Sequence, residues 1–506
     1  MDITKTLSGI HLNAALSLPL YLQIVTALTV KIQDCTLPAG SKLPPERELS
    51  RLLGVSRTTV INAYSLLEER GLVSTRVGSG TFVSSEPAAT GSPSPTMPWE
   101  QLFTPGYKAP LSSIMRSIIA SPTADDTISM AAGMPDPAFY PVDMIHALLD
   151  SRRHSLDLAD LGLIATEGYL PLRRSIAAWQ SRLGKTASPE QILVVSGSQQ
   201  GLFLIVKSFI EPRDYVILES PTYLGAIQVL EAAGARLLCL PSAGKLDLEI
   251  FEDYLIRYRP KFFYTMSDFQ NPTGRVMSLS DRQELIRLAA RHRLTIIEDD
   301  PYSLLYYGSP PPPSLKQLDT YGGVIHIGTF SKTLFPGLRT GWVHAAAPVI
   351  NRLAQEKQYV DLHSHNLAQL ILHTCLEEDA LTPHLAKVRR EYKKRRNAMA
   401  AAIRKYCSPT MDFDLAEGGL YLWGRLTPAI LPTELLRQAA TLGISFVPGD
   451  AFYAHGAVSH AIRLCFATHD EERLIEGIRR LGRALAATGA AAATSVSPAA
   501  AGRPII

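Results

Sequence analysis

The stretch GTFSKTLFPGLRTGW sets Lys332 among small hydroxyl residues, with Arg339 seven positions on. That set suits a phosphate-bearing aldehyde: the amine can form a Schiff base while Thr329, Ser331 and Arg339 hold the phosphate. An SK dipeptide alone is a common surface feature, so its companions decide the reading. VVSGSQQG lies between a strand-like and a helix-like run. Backbone N–H groups at Ser198 and Gln199 would form an anion site at the helix start. SPTYLG offers Tyr223 to stack on an aromatic ring. Asn271-Pro272-Thr273-Gly274 makes a turn whose Asn amide can donate to a ring oxygen and a substrate carboxylate. IIEDDPY ends a strand, where Asp299 can pair with a pyridinium nitrogen and make the ring an electron sink. Tyr302, three residues on, brings a phenol near the ring oxygen. Each motif also has a plain reading: NPTG as a turn, strand-end carboxylates as helix caps, a lone Tyr as packing.

The elements that must position these groups are short apolar runs. QILVVSG, DYVILES, ARLLCLP, KFFYTM, LTIIEDD and GVIHIGT alternate with helical patterns, which predicts an α/β layer fold with a mainly parallel sheet. From about Asn351 a long helical stretch leads to a smaller α+β region ending near Ala487.

Taken together and in this order, the five motifs closely resemble fold-type I pyridoxal-phosphate enzymes of the class I/II aminotransferase family, over about residues 110–485. ATEGYLPLR, EGGLYLW and VPGDAFY look most like the aromatic and 2-aminoadipate aminotransferase branch. The resemblance implies pyridoxal 5'-phosphate bound as an internal aldimine on Lys332. It also implies a homodimer, and Arg463 in AIRLCFA as the partner of an amino acid's α-carboxylate. Members often carry a Tyr that reaches the partner subunit's phosphate where this chain has Leu163.

A second kind of chemistry is written in the first 83 residues. Leu20, Ile24, Leu28 and Ile32 recur at i, i+4 spacing and define a helix face. Pro44 and Pro45 open a second helix that ends at Gly54, and Ser56 is a suitable N-cap for a third. LVSTRVGSGTFV then reads as a hairpin. This is the layout of a winged helix–turn–helix, whose recognition helix presents its N-terminal residues to base edges. Here those are Arg57, Thr58 and Thr59, with Arg47 and Arg76 placed for phosphates and Gly78 and Gly80 at the wing tip. LPPERELSRLLGVSRTTVINAYSLLEERGLVSTRVGSGTFV strongly resembles the GntR family, which implies Arg47, Arg57, Thr58 and the Gly78–Gly80 wing as DNA contacts. Ile61 stands where many members carry a further basic residue.

The bulk properties frame both sites. The 506 residues exceed one ordinary core and predict several domains. Net charge is only +3, and residues 1–83 hold eight basic against six acidic side chains, so the DNA argument rests on motif rather than charge. Five scattered cysteines and the lack of a signal-peptide pattern point to a reducing cytoplasm and no membrane span. The basic run RREYKKRRNA (389–398) reads as a solvated helix face, with a second DNA patch as the alternative.

The expected arrangement is multidomain. A mainly α winged helix–turn–helix (1–83) and a flexible linker (84–109) precede a pyridoxal-phosphate-binding domain (110–487), with a disordered tail (488–506) after it. That domain's large lobe spans about 130–350 and its small lobe about 351–487. This order resembles the MocR subfamily of regulators. It implies a DNA-binding transcription regulator whose aminotransferase-like domain senses an amino acid or amine effector at a double-stranded DNA operator. The alternatives are a working aminotransferase carrying a DNA reader, and a sensor of pyridoxal phosphate itself.

Overall fold

A computed structural model of the chain describes residues 7, 10, 12, 19–34, 36–69, 72–76, 80–84, 126–152, 162–242, 244–456 and 458–495. The chain divides into two units, Met1–Thr104 and Pro105–Ile506. The expected linker, Ser84 apart, lies outside the described residues.

In the first unit the i, i+4 apolar face forms helix α1 (Leu20–Gln33), with Ile24 and Leu28 fully buried. Helix α2 (Glu46–Leu53) follows Pro45 and ends at Gly54, whose φ of 66° is the left-handed cap that a side chain would resist. Helix α3 (Arg57–Glu69) starts at Ser56, whose Oγ accepts from the Thr59 amide at 3.1 Å. Strands β1 (Val73–Arg76) and β2 (Gly80–Val83) pair antiparallel, with Arg76 opposite Gly80. Ile24, Leu28, Leu49, Val60, Leu67 and Val73 make one apolar core. The buried Tyr64 hydroxyl donates to Pro44 O at 2.8 Å and ties α3 to the start of α2.

The second unit begins with β3 (Ile128–Ser129), α4 (Val142–Arg152) and α5 (Leu170–Arg182). Strand and helix then alternate: β4 (Ile192–Val195), α6 (Ser198–Phe209), β5 (Tyr215–Ser220), α7 (Leu224–Ala232), β6 (Arg236–Pro241) and α8 (Leu248–Tyr258). They continue as β7 (Phe262–Thr265), α9 (Leu279–His292), β8 (Thr295–Asp300), α10 (Leu315–Leu318), β9 (Val324–Thr329) and β10 (Gly341–His344). The sheet order is β4-β10-β9-β8-β7-β5-β6. Strands β5 to β9 are parallel, as their apolar runs predict, and β10 runs antiparallel to both β9 and β4. Every residue of β4, β7, β9 and β10 is buried, as befits a sheet covered on both faces.

Helices α11 (Ala347–Gln358), α12 (Asn366–Glu377) and α13 (Leu381–Tyr406) lead to the smaller region. It comprises β11 (Met411–Phe413), β12 (Tyr421–Leu426), α14 (Pro432–Thr441), β13 (Ile444–Ser445), β14 (Val447–Pro448), β15 (Ala461–Cys465) and α15 (Glu471–Ser495). Its antiparallel sheet has the order β11-β12-β15-β14, and α13 packs along α15. Strand β3 pairs with β13, so this unit's first strand joins its last region. One expectation needs correction: residues 488–495, assigned to a disordered tail, continue α15. Alanine has the highest helix propensity, and Thr488 is buried with its hydroxyl on Ala484 O at 2.8 Å. Residues 496–506 lie outside the described residues.

Candidate cofactor and DNA-reading sites

The predicted motifs converge because each follows the carboxyl end of a strand, where α/β sheets bind ligands. Gly197 links β4 to α6 with φ 91°, so the first amides of α6 point outward at Ser198 and Gln199. A Cβ at Gly197 would come within 2.8 Å of Arg339 Nη2. Arg339 donates to Ser196 O at 3.1 Å and to Ser331 Oγ at 3.5 Å. Thr329 Oγ1 donates to Ser331 Oγ at 3.1 Å. Two hydroxyls, a guanidinium and a helix N-terminus thus form one cup with the donors for a phosphate.

Across from the cup, Asp299 at the end of β8 is 4 % exposed. Its Oδ2 accepts from the Tyr264 hydroxyl at 2.7 Å, while Oδ1 has no partner among the described residues. Burial raises the Asp299 carboxyl to about 7, with Asp300 adding and the Tyr264 bond opposing. A buried acceptor without a donor costs stability unless something supplies one. A protonated pyridine nitrogen is such a donor. Behind Asp299, Lys185 Nζ bonds Asp300 at 3.1 Å and lies 3.4 Å from His326, which contacts Glu298 at 3.3 Å. Burial alone would raise the Glu298 and Asp300 carboxyls; His326 and Lys185 outweigh it and hold both below their ordinary values.

Lys332 Nζ donates to Gly133 O at 2.7 Å and approaches Met134 Sδ at 3.8 Å. Burial pushes its ammonium down to about 8; Cys465 opposes this, and Arg463 and Arg339 add to it. A lysine so placed supplies neutral amine near physiological pH. Arg463 on β15 donates to Asn271 Oδ1 at 2.9 Å and Ala131 O at 2.7 Å, and its Nε is buried with no partner among the described residues. Its guanidinium lies 4.2 Å from the Tyr421 ring centre and 4.9 Å from that of Phe452. Because Asn271 Oδ1 faces Arg463, its amide nitrogen remains free to donate elsewhere. Tyr302 donates to the Tyr421 hydroxyl at 3.2 Å, and Tyr223 to Gln199 Oε1 at 3.1 Å. Burial raises both the Tyr302 and Tyr223 phenols, keeping them protonated.

All eleven residues proposed for the cofactor and its ligand therefore gather at one edge of the sheet and the adjoining small region. The phosphate cup, the unpartnered Asp299 oxygen and the desolvated lysine fit pyridoxal phosphate. Sequence reasoning missed Tyr264, a phenol in an otherwise apolar strand. It also gave no role to Tyr421, or to the Ala131–Met134 segment that holds Lys332 and Arg463 through its carbonyls. Leu163 is 83 % exposed and carries no donor.

In the first unit, Arg57 stands at the outer start of α3 with its Nε and Nη2 on Glu46 Oε2, at 3.2 and 2.9 Å. Arg47 and Thr58 are exposed, as DNA contacts must be. Thr59 is half-buried, and its hydroxyl pairs with Ser56 Oγ at 2.8 Å, so it serves the helix cap. Ile61 is 38 % exposed on α3. Gly80 has φ 111°, and a Cβ there would come within 2.9 Å of Lys42 Cε. Lys42, bridged to Phe82, is a basic residue beside the wing that sequence reasoning did not single out. Gly78 and the Arg76 side chain lie outside the described residues.

These two sites have known counterparts. Residues 140–481 match the model for aminotransferase class I and II, and residues 20–83 that for bacterial regulatory proteins of the gntR family. The crystal structure of LysN, an α-aminoadipate aminotransferase from Thermus thermophilus complexed with N-(5'-phosphopyridoxyl)-L-leucine, is 36 % identical with a TM-score of 0.71. It covers 78 % of this chain and 99 % of that one. An HTH-type transcriptional regulator of Bacillus subtilis, YdfD, is 32 % identical, over 92 % of this chain and 96 % of its own. The probable rhizopine catabolism regulatory protein MocR of Rhizobium meliloti is 30 % identical, over 93 % and 94 %. The fold and cofactor site define a class I and II aminotransferase-type protein using pyridoxal phosphate. With its gntR reader, the chain belongs to the MocR subfamily of pyridoxal-phosphate-dependent, DNA-binding transcription regulators.

Proposed function

We propose that this regulator senses an amino acid or a related amine at the site formed by Lys332 and Arg463. The observation that carries the reading is the pairing of a buried, unpartnered Arg463 Nε with a desolvated Lys332 in a chain that also reads DNA. Pyridoxal phosphate supplies an aldehyde for amine capture and an electron-withdrawing ring when bound. Ser198, Gln199, Thr329, Ser331 and Arg339 would hold its phosphate, with Tyr223 beside the ring and Asp299 as the acceptor for its protonated nitrogen. Asn271 would donate to the ring oxygen, as would Tyr302 once its hydroxyl turned from Tyr421. The effector's carboxylate would take Arg463, and its amine would compete with the Lys332 amine for the aldehyde, leaving the freed lysine to Gly133 O. The effector thereby makes contacts that differ between two states of the domain, as any ligand-driven shift requires.

The same reading makes the protein a cytoplasmic homodimer through the cofactor domain, presenting two readers to paired half-sites. The exposed side chains of Leu163, Tyr359, Val360 and Leu362 support a covered face there. Leu163 cannot hydrogen bond across to the partner's phosphate, so the cup within one chain carries that load. Among the described residues no helix is long and apolar enough to cross a membrane.

A mobility shift on the upstream intergenic DNA, with pyridoxal phosphate and a panel of amino acids and amines, tests the proposal. One class of amine should change the affinity or the pattern of complexes. A response to pyridoxal phosphate alone, with no amine altering DNA binding, would make the protein a cofactor sensor. Turnover of an amino acid with 2-oxoglutarate at enzyme-like rates would make it a working aminotransferase.

A further inference from the structure

Helix α13 holds a charge pattern that the basic run in the sequence conceals. Its 26 residues contain nine Lys and Arg against the single Glu391, while the other 480 residues hold 41 basic against 46 acidic side chains. The positive charge of a nearly neutral protein is therefore concentrated on one rod, the arrangement that creates a local field. The structure divides these nine residues by task. Arg389 donates to Leu304 O and stacks 3.8 Å from the Tyr306 ring centre. Arg395 bonds Ala467 O and Asp136, and Arg396 bonds Ala416 O. These three are internal ties.

The other six, Lys387, Arg390, Lys393, Lys394, Arg404 and Lys405, are exposed. At about 100° per residue they occupy one sector roughly 120° wide, and they extend over about 27 Å of helix, or about eight base pairs of B-form DNA. Within that sector lie also Asn397 and Ala401, and no large apolar side chain. Glu391 at its margin is taken by Arg390 and Lys394. Asp412 and Asp414, near the far end, are held by Arg425. The charged groups of Arg404 and Lys405 lie 5.2 and 5.0 Å from the ring centres of Phe413 and Tyr406, and both residues stay exposed.

We infer that this face of α13 is a second DNA-binding surface, which contacts the phosphates of duplex flanking the sequence read by the N-terminal unit. The inference rests on the DNA-binding role already established for the chain. A membrane surface is the poorer match, because interfacial helices combine basic residues with a large apolar face and this sector has none. The contacts expected are sequence-independent and strongly salt-dependent.

The test uses the full-length, pyridoxal-phosphate-loaded protein and two duplexes from the gene's own upstream region. One is trimmed to the protected half-sites and the other is extended at both ends. Wild-type protein should bind the extended duplex more tightly. Its plot of log affinity against log salt should be steeper on the extended duplex by about 2 to 3, at about 0.9 per phosphate contacted. Replacing three residues together (K387Q, R390Q and K394Q) should remove both differences. Affinity for the trimmed duplex and the bound-cofactor absorbance should be unchanged. Equal salt slopes and flank dependence in variant and wild type would overturn the inference. So would an unchanged DNA response accompanied by loss of binding to vesicles of anionic phospholipid. Failure of the wild type to bind either duplex would instead count against the DNA-binding reading itself.

Discussion

The two sites of this protein solve opposite problems. The cofactor site is buried and prearranged: Asp299 and Arg463 keep polar atoms without partners among the described residues, and Lys332 rests on a backbone carbonyl. The candidate DNA-reading surface is exposed and self-satisfied: Arg57 is already paired with Glu46 at the start of its helix. Inside the fold, an unsatisfied group is costly and so selects one complementary small molecule. On the surface, water satisfies each group, and discrimination must come from several shared contacts along a rigid helix. A deletion in the cofactor site should therefore leave a buried group unsatisfied and weaken binding through that group alone, whereas reader variants should weaken binding in steps along the helix.

The comparison can be broken at four points. Lys332→Ala should eliminate the near-visible absorbance of the bound cofactor while the protein still binds the trimmed duplex; survival of that band would overturn the lysine's assignment. Asp299→Ala should weaken cofactor affinity by about 1.5–3 kcal/mol, the range for a hydrogen bond to a charged group, measured by titrating cofactor-free protein. Arg57→Ala should lower specific DNA affinity by about 1–3 kcal/mol and leave cofactor affinity alone. Simultaneous loss of both would show that the units are not separable. Ser56→Ala should reduce the stability of the first unit by about 1 kcal/mol, seen by calorimetry as a shift in its transition alone.

A pH profile sharpens the same contrast. The Lys332 amine must be neutral to attack an aldehyde, and its folded value lies near 8 rather than at an ordinary lysine's 10.5. The rate of cofactor uptake should rise about tenfold per pH unit below 8 and level off above it. A rate still climbing steeply between pH 9 and 10 would show that burial does not depress this lysine.

Much of both sites is legible in the sequence because backbone demands and side-chain chemistry coincide there. Gly54 and Gly197 mark turns with positive φ, the apolar runs mark buried strands, and the motif residues follow the strands directly. The hidden parts are those where one segment serves two purposes. Strand β10 begins in the last two residues of the motif that carries Lys332, so its four buried residues do not read as a separate strand. Tyr264 looks like packing until Asp299 is beside it. The run 389–398 looks uniform because helical periodicity splits it into inward and outward arginines only when the core beneath is known. The tail to Ser495 reads as low complexity, yet alanine is also the best helix former.

The short segment from Met130 to Met134 has one further consequence. Its carbonyls accept from the Cys465 amide, Arg463, Thr468 and Lys332 in turn. An effector with a carboxylate, of the kind proposed, would take Arg463 from this strip of backbone rather than simply add a bond. Its measured affinity is then a difference between two sets of similar hydrogen bonds, smaller than its contacts alone suggest. On the proposed reading the strip would be a built-in competitor that sets the concentration at which the signal is registered.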